Sequence, residues 1–291
     1  MDPLPETVPE VSSVPSVPAV KYPWLKSVIA AAVVLLVVLL TGTFYLANRA
    51  SLLSGLNQPS PTEPPAPATL TRGKLLIATD PTFEPMEFRD ENENLVGYDI
   101  DLGRSLAEKM GLQVDFRVVV WDDIFSALAN REFDVIISSV SITPDRQQLY
   151  EFSAPYLNAG QVIITKKTNT TITSTNDLSG KKIAVQKDTT NEAEAMKYTD
   201  PDMLLSLGDF EAATRALLDG KADAIFADLT VAKGIITTNP TLKIASEPFT
   251  SEQYGIVLAK GNSLLHAQVN QALDALRQQG TLVYLKQKWL E

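Results

Sequence analysis

Strand-like and helix-like segments alternate along the chain from Lys74 onwards, and this alternation restricts the fold more than any other feature. Runs rich in apolar and β-branched residues, such as 74–79 and 113–120, are followed by segments of helical period, such as 98–110. Strands that alternate with helices favour parallel sheets covered by helices. The sequence therefore predicts an α/β fold.

The alternation occurs in two runs, which the polar segment 166–175 separates. We predict that residues 71–164 and 253–291 form a first lobe and that residues 165–252 form a second lobe. Ligands of open α/β sheets bind beyond the carboxyl ends of the strands, so polar residues after the predicted strands are the candidates for a binding site.

The N-terminal part of the chain has a different composition. Residues 1–26 are rich in proline, serine and valine, which predicts a disordered tail. Val28 to Ala47 is about 20 residues without a charge, which predicts a transmembrane anchor within residues 27–48. The proline-rich residues 49–70 predict an extended linker.

Charges on either side of the apolar run indicate its orientation. Lys21 and Lys26 precede the run and only Arg49 follows closely, which places the remainder of the chain on the periplasmic or extracellular side of the cell membrane. A cleaved signal peptide is the alternative. It is less favoured because the run is longer than the usual apolar region of such a peptide, and no clean cleavage site follows.

Composition excludes several classes of site. The chain has no cysteine, which rules out disulfides, zinc–thiolate sites and thiol nucleophiles. Its single histidine, His266, cannot form a multi-histidine metal site. The net charge of −10 argues against a nucleic-acid partner. We therefore expect no metal, no cofactor and no bound nucleic acid.

Two charged residues follow predicted strands. Arg146 lies in the first turn of a helix that begins at Pro144. A guanidinium can bind a carboxylate through two parallel hydrogen bonds, although most arginines in such a position are simply solvated. Asp228 ends an apolar strand, and its carboxylate could bind an ammonium group or cap the helix that begins near Thr230.

Three stretches carry a resemblance to a known family. They are Gly-Tyr-Asp-Ile-Asp-Leu-x-x-x-Leu-Ala-x-x-Met over residues 97–110, the loop Asp80 to Phe88, and Ser-Ser-x-Ser-Ile-Thr-x-x-Arg over residues 138–146. Together they resemble the family 3 extracellular solute-binding proteins, the polar amino-acid receptors of ABC importers. The resemblance covers roughly residues 71–291. It implies the type II periplasmic-binding-protein fold, in which a hinge of two crossing strands joins two lobes.

The resemblance also implies roles for individual residues. Arg146 and Ser141 would bind the α-carboxylate of an amino acid, Asp228 would bind its α-ammonium group, and Thr190 would add a donor from the second lobe. The full set of predicted ligand-binding residues is Asp80, Phe83, Trp121, Ser138, Ser139, Ser141, Arg146, Gln186, Thr189, Thr190 and Asp228.

The side chain of the ligand would lie between Phe83 and Trp121, where a cationic group gains a cation–π interaction. Asp80 biases this part of the site towards a basic ligand, whereas Gln186 could hydrogen-bond either a guanidinium or an amide. We therefore place arginine, lysine and histidine ahead of glutamine.

The resemblance implies a monomeric receptor domain without catalysis, which delivers a free L-amino acid to an ABC permease in the membrane. Two alternatives remain at this point. Periplasmic cyclohexadienyl dehydratases share the fold and look similar, and such an enzyme would need a general acid or base, for which Glu84 and Lys187 are the nearby candidates. The other alternative is a ligand-sensing subunit of a membrane signalling complex.

Overall fold

The computed structural model describes residues 23–56 and 68–291, and the chain divides into two units after Pro65. The described part of the first unit is one helix, α1 (Pro23–Leu56). This helix includes residues 23–26 and 49–56, which were predicted as tail and linker. Proline is tolerated in a first helical turn, and no further proline occurs before Pro59.

Residues 1–22 and 57–67, which hold most of the predicted tail and linker, lie outside the described residues. Within the described parts of the chain, none of the helices is long and apolar enough to cross a membrane. The anchor predicted over residues 28–47 is therefore not confirmed.

The second unit contains the alternating elements that the sequence predicts, together with several short strands. Its strands are β1 (Lys74–Thr79), β2 (Thr82–Phe83), β3 (Glu87–Arg89), β4 (Leu95–Val96), β5 (Gln113–Val118), β6 (Val135–Ile136), β7 (Tyr150–Phe152), β8 (Leu157–Ala159), β9 (Gln161–Lys166), β10 (Ile183–Gln186), β11 (Leu204–Leu207), β12 (Ala224–Asp228), β13 (Leu242–Ile244), β14 (Glu252–Tyr254) and β15 (Val257–Ala259). Its helices are α2 (Tyr98–Lys109), α3 (Trp121–Ala129), α4 (Pro144–Leu149), α5 (Thr190–Ala195), α6 (Phe210–Leu218), α7 (Leu229–Thr238), α8 (Ser263–Gln278) and α9 (Thr281–Leu290).

The first sheet has the strand order β5-β1-β6-β15-β7. β1 is parallel to β5 and β6, whereas β15 is antiparallel to β6 and β7. Successive residues of β1 enter two different cores: Leu75 and Ile77 pack with residues of α2 and α8, whereas Leu76 and Ala78 pack with Ile124 of α3. Because helices cover both faces, the four central residues of the strand, Leu75 to Ala78, are all apolar.

The second sheet has the order β11-β10-β12-β9-β13. β10 is parallel to β11 and β12, and β9 is antiparallel to β12 and β13. In β12, Ile225 and Ala227 pack with residues of α6 and α7, whereas Ala224 and Phe226 face the opposite core. Asp228 is the last residue of this strand, at its carboxyl end.

Two antiparallel strands connect the sheets. β8 leads from β7 in the first sheet to β9 in the second, and β14 leads back from β13 to β15. The two strands pair, with Glu252 opposite Ala159 and Tyr254 opposite Leu157. The predicted α/β architecture of two lobes, each with its own sheet, is therefore confirmed. The residues at which each lobe begins stay a prediction.

A small sheet of β2, β3 and β4, which the sequence did not predict, holds the loop after β1 against α2. The amide of Tyr98 donates to the Pro85 carbonyl (3.1 Å), and the amide of Asp99 donates to the Met86 carbonyl (2.8 Å). This approach needs a glycine at position 97. Gly97 has a φ of 127°, and a Cβ there would lie 2.2 Å from the Met86 oxygen.

The two lobes touch at several points. The Phe83 ring meets the Phe210 ring edge to face, with centroids 5.3 Å apart. Gly234 of α7 lies so near the first lobe that a Cβ on it would be 2.4 Å from the carbonyl oxygen of Glu84. The absence of a side chain at position 234 therefore permits this closeness of the lobes.

We predict that Gly234→Ala forces the lobes apart without weakening either one. An alanine inside a helix favours the helix by about 0.5–1 kcal/mol over glycine, so thermal stability should not fall. The clash with the Glu84 carbonyl must be relieved by opening, and the radius of gyration in solution scattering should increase.

Gly208→Ala is the matched control, because nothing lies within 4 Å of a Cβ at that position. Equal radii for the wild type and Gly234→Ala would contradict the prediction.

Candidate functional site

A cleft with about 390 Å³ of empty volume contains residues from both lobes. The carboxyl ends of β1, β6, β10 and β12 meet at this cleft. The structure brings together every residue of the predicted set, since all of the following line the cleft: Asp80, Phe83, Trp121, Ser138, Ser139, Ser141, Arg146, Gln186, Thr189, Thr190 and Asp228. Thr82, Glu87 and Asn191 also line it and were not predicted.

The guanidinium of Arg146 is held by backbone and aromatic groups. Its Nη1 donates to the Ser141 carbonyl (3.1 Å) and its Nη2 to the Asp188 carbonyl of the second lobe (3.4 Å). It also lies over the rings of Trp121 (5.5 Å) and Phe125 (5.3 Å). Burial lowers the pKa of the Arg146 guanidinium, although it stays charged.

Ion pairs between described residues do not include Arg146. Its nearby carbonyls satisfy only part of its five donors. A half-buried guanidinium without a carboxylate partner is suited to binding an anion that enters the cleft.

The carboxylate of Asp228 is the opposite charge in the cleft. Asp228 occupies the N-cap position of α7, but its side chain makes no capping hydrogen bond. It accepts instead from Asn191 Nδ2 (2.9 Å) and from the hydroxyl of Tyr254. Burial, and then the charge of Glu252, raise the pKa of the Asp228 carboxyl to about 6. The side chain therefore serves the cleft rather than the helix, and at neutral pH it offers a negative charge to a cation.

A pair of buried acids, Glu87 and Asp99, lies beneath the loop of residues 138–143, which we call the serine loop. The Ser139 hydroxyl lies 3.2 Å from Asp99 and 3.3 Å from Glu87, and the Ser138 hydroxyl donates to Glu87 (3.0 Å). The Ser139 hydroxyl is thus within hydrogen-bond distance of both carboxyl groups, which places the two acids side by side.

Burial raises the pKa of both acids. The neighbouring charge of Asp99 adds to the effect on Glu87, whose pKa lies well above its usual range, whereas the pKa of Asp99 is raised to about 6. The two acids therefore titrate as a coupled pair, and burial keeps a proton on the pair at a higher pH than an exposed carboxyl would keep it.

Asp80 lies at the part of the cleft that also holds the aromatic residues. Its Oδ2 accepts from the backbone amide of Trp121 (2.9 Å), and its own amide donates to the Ser138 hydroxyl (3.0 Å). Burial raises the pKa of the Asp80 carboxyl. Its only hydrogen-bond partners among the described residues are neutral, so its charge faces the cleft without compensation.

In the second-lobe loop, residues 186–191, several side chains are already hydrogen-bonded within the protein. The hydroxyl of Thr190 donates to Glu252 Oε2 (2.9 Å), so it cannot also donate to a ligand carboxylate. Its backbone N–H, in the first turn of α5, is the donor that is left. Gln186 Nε2 donates to the Gly208 carbonyl (3.3 Å), and the Thr189 hydroxyl donates to the Gln186 carbonyl (2.6 Å).

The two candidate acid–base residues are not placed for catalysis. Glu84 is exposed and does not line the cleft. Lys187 forms ion pairs with Asp122 (3.7 Å) and Asp188 (3.2 Å) at the protein surface. Among the described residues, no group of three or more His, Cys, Asp and Glu side chains could hold a metal ion.

We predict that the buried acid pair makes stability depend on pH. A carboxyl whose pKa is raised by folding binds more protons in the folded state, so its contribution falls as pH rises from about 4.5 through the folded pKa. Glu87→Gln keeps the shape and can donate to Asp99. Its free energy of unfolding should match that of the wild type near pH 5 and exceed it increasingly as the pH rises.

Chemical denaturation between pH 5 and pH 9 measures this difference. Glu91→Gln, at an exposed position, is the control for a lost carboxyl group. A difference between Glu87→Gln and the wild type that stays constant with pH would show that Glu87 is ionised throughout.

Comparisons with known proteins agree with this geometry. The profile of the family described as bacterial extracellular solute-binding proteins, family 3, matches residues 75–291. The L-cystine-binding protein TcyJ of Escherichia coli strain K12 is 31% identical over 220 residues, which cover 75% of this chain and 83% of that protein.

Two solved structures are similar over the same part of the chain. Holo ArgBP from T. maritima is 36% identical to this chain. The aligned region covers 75% of this chain and 96% of the ArgBP chain, with a TM-score of 0.68. An ancestral arginine-binding protein, solved with arginine and with glutamine, is 39% identical in both forms. The aligned region covers 76% of this chain and 99% of the ancestral protein, with TM-scores of 0.72 for the arginine complex and 0.73 for the glutamine complex. The chain therefore belongs to family 3 of the bacterial extracellular solute-binding proteins.

Proposed function

We propose that the chain binds a polar L-amino acid, with a basic one preferred, and delivers it to an ABC permease by closing its two lobes. The observation that carries this proposal is the placement of Arg146 on the first lobe and Asp228 on the second. Both line one cleft, and no ion pair between described residues includes either of them. A zwitterion supplies the missing partner to each.

The carboxylate of the ligand would bind the Arg146 guanidinium. The fork of a guanidinium fits a carboxylate in two parallel hydrogen bonds, and the aromatic rings beside Arg146 keep it in one orientation. The Thr190 N–H of the second lobe would add a donor. Ser141 contributes through its backbone, since its carbonyl accepts from Arg146 and helps to hold it.

The ammonium group of the ligand would bind Asp228, which Asn191 and Tyr254 hold in place. Because the carboxylate and the ammonium group are bound by different lobes, the ligand links them. Its binding energy then stabilises the closed arrangement relative to an open one.

The chain is a solute-binding receptor and not an enzyme, as its family and its named relatives indicate. A monomeric state and a membrane anchor over residues 28–47 rest on the sequence and the resemblance alone. Transport through a permease is favoured over sensing, because the relatives of this family are named as binding proteins of ABC transporters.

We predict that Arg146→Lys weakens binding of an amino acid by about 1.5–3 kcal/mol, which is the range for hydrogen bonds to charged groups. Lysine keeps the positive charge but loses the planar fork. Titration calorimetry with the twenty amino acids on the wild type identifies the ligand, and the same ligand is then titrated into the variant.

Arg104→Lys is the control, because Arg104 forms an exposed ion pair with Asp101 on α2. Undiminished affinity in Arg146→Lys would show that the guanidinium does not bind the carboxylate. A wild type that binds none of the twenty amino acids would overturn the proposed function.

The preference for a basic ligand is proposed from the charge of the cleft. Two carboxylates line it, those of Asp80 and Asp228, against one guanidinium. Glu87 also lines the cleft, but burial raises its pKa well above the usual range and so disfavours its charged form. Asp80 lies beside Trp121 and has no cationic partner among the described residues. The structural relatives named above are arginine-binding proteins, and one of them was also solved with glutamine. Glutamine is therefore the second candidate, and the cystine ligand of TcyJ is a third.

We predict that Asp80→Asn changes selectivity rather than affinity in general. An arginine whose guanidinium loses a buried anionic partner should bind about 2–5 kcal/mol more weakly. Glutamine would lose at most one hydrogen bond, about 0.5–1.5 kcal/mol. The asparagine oxygen can still accept from the Trp121 amide, so the shape of the cleft is kept.

The measured quantity is the ratio of the two dissociation constants in the wild type and in the variant. Asp123→Asn, at an exposed position on α3, makes the same change in net charge and is the control. If the ratio is the same in the wild type and in Asp80→Asn, the basic-ligand assignment is wrong.

A further inference from the structure

Glu252 is a carboxylate at the junction of three parts of the structure. It is the first residue of β14, the strand that returns from the second lobe to the first. Its Oε2 accepts from the hydroxyl of Thr190 in the second-lobe ligand loop (2.9 Å). Its Oε1 accepts from Gln161 Nε2 (2.5 Å), at the point where the other crossing strand has just entered the second sheet. One side chain therefore links β14, the start of β9 and the loop.

The surroundings of Glu252 are otherwise tightly fixed. Thr250 donates to the same carboxylate (3.3 Å), and its hydroxyl accepts from the backbone amide of Gln161 (2.9 Å). A Cβ on Gly160 would lie 2.7 Å from the Thr250 carbonyl, so the two connecting segments are in backbone contact here. Glu252 thus projects from a part of the hinge that has little freedom to shift.

No lysine, arginine or histidine of the described residues forms an ion pair with Glu252. Its hydrogen-bond partners are two hydroxyls and an amide. A partly buried carboxylate that is bound only by neutral donors orients those donors and forms no ion pair with them. Its charge is nevertheless felt in the cleft, because it acts on both Arg146 and Asp228.

The contact with Thr190 determines what the loop can offer to a ligand. Thr190 is the first residue of α5, and its backbone N–H belongs to the first turn, where amides have no partner within the helix. Anchoring the hydroxyl to the hinge ties Thr190, and with it the position of its backbone N–H, to the returning strand. Without this anchor, the start of α5 would be held by its N-cap residue, Thr189, and by the hydrogen bond from Asn191 to Asp228, neither of which connects it to the hinge.

We propose that Glu252 is a positioning residue for ligand binding: it holds Thr190 so that the Thr190 N–H meets the carboxylate of the ligand in the closed cleft. This proposal rests on the proposed function, since it assumes an amino-acid ligand. Glu252 does not touch the ligand. It acts through Thr190, and its loss should appear chiefly as faster release of the ligand.

Two substitutions of Glu252 separate geometry from charge. Glu252→Ala removes the acceptor, and the release rate of the ligand should rise by at least about tenfold, as for a lost hydrogen bond to a charged group. Glu252→Gln keeps an oxygen for Thr190. Its new amide can donate to Gln161 Oε1 after that amide flips, because Gln161 Oε1 is buried and has no donor among the described residues. Its release rate should stay within about threefold of the wild type, because its hydrogen bonds are retained.

Thr190→Val tests the same hydrogen bond from its donor, because it removes the hydroxyl and keeps the shape of the side chain. It should speed release about as much as Glu252→Ala does, and the double variant should release no faster than either single one. This non-additivity shows that Glu252 acts through Thr190. Thr190→Val also keeps the proposal testable should Glu252→Ala not fold.

The experiment is stopped-flow release of L-arginine, or of whichever amino acid the wild type binds most tightly, from the full chain. Glu247→Ala, at an exposed position of the same returning segment, is the control. Equal losses in Glu252→Ala and Glu252→Gln, with none in Thr190→Val, would show a purely electrostatic effect and overturn the proposal. Wild-type release from Glu252→Ala would also overturn it. If the wild type binds no amino acid at all, it is the proposed function that fails.

Discussion

The carboxylate of Asp99 is the interaction on which the rest of the cleft depends. It accepts from the backbone amide of Ser139 (2.6 Å), from the hydroxyl of Ser139 and from the hydroxyl of Tyr156 (2.9 Å). Through these bonds the start of α2 holds the loop between β6 and α4 and the segment that leads into the first crossing strand. Ser139 adopts a φ of 51°, a left-handed conformation that a serine rarely takes without such support. The loop that leads to Arg146 is therefore fixed from below by a residue far away in the sequence.

The same carboxylate explains why residues 97–110 are so specific in their order. Gly97 permits the close approach of the loop of residues 80–88, and Asp99 binds the serine loop. Leu102 and Leu106 are buried in the core of the first lobe. An ordinary amphipathic helix would need only the leucines. The additional constraints come from the cleft, which is why a pattern on a helix indicates a binding protein.

Much of the fold could be predicted from the sequence because its signals are local. Strand β1, the helix α4 with proline in its first turn and the helix α6 with Asp209 as its N-cap all follow from neighbouring residues. The short strands β2, β3, β4, β7, β8, β11 and β13 were missed, because two to four residues give too little periodicity to identify a strand.

In the candidate site, too, local features could be predicted from the sequence and contacts between distant residues could not. Arg146 and Asp228 follow strands and could be found from their positions, whereas the partners that define their state are distant in sequence. Asn191 binds Asp228 across 37 residues, and Glu252 binds Thr190 across 62. For Thr190 the resemblance left the donating group open, and the contact of the hydroxyl with Glu252 leaves the backbone N–H. Asp228 shows the converse case: it does occupy an N-cap position, and only the side-chain contacts reveal that it serves the cleft.

These contacts also support the chemical selectivity that we propose for the cleft. Arg146 and Asp228 are each oriented by neutral groups, carbonyls and rings for one, an amide and a hydroxyl for the other. Neutral partners fix a direction without cancelling a charge, so each group keeps most of its attraction for an ion of the opposite sign. Burial makes that attraction strong, because little water competes with it. A ligand with only one charge would leave the other group uncompensated in a closed cleft, at a cost of several kcal/mol. In the closure that we propose, the two groups would therefore favour a molecule that carries both a carboxylate and an ammonium group at the spacing of an amino acid.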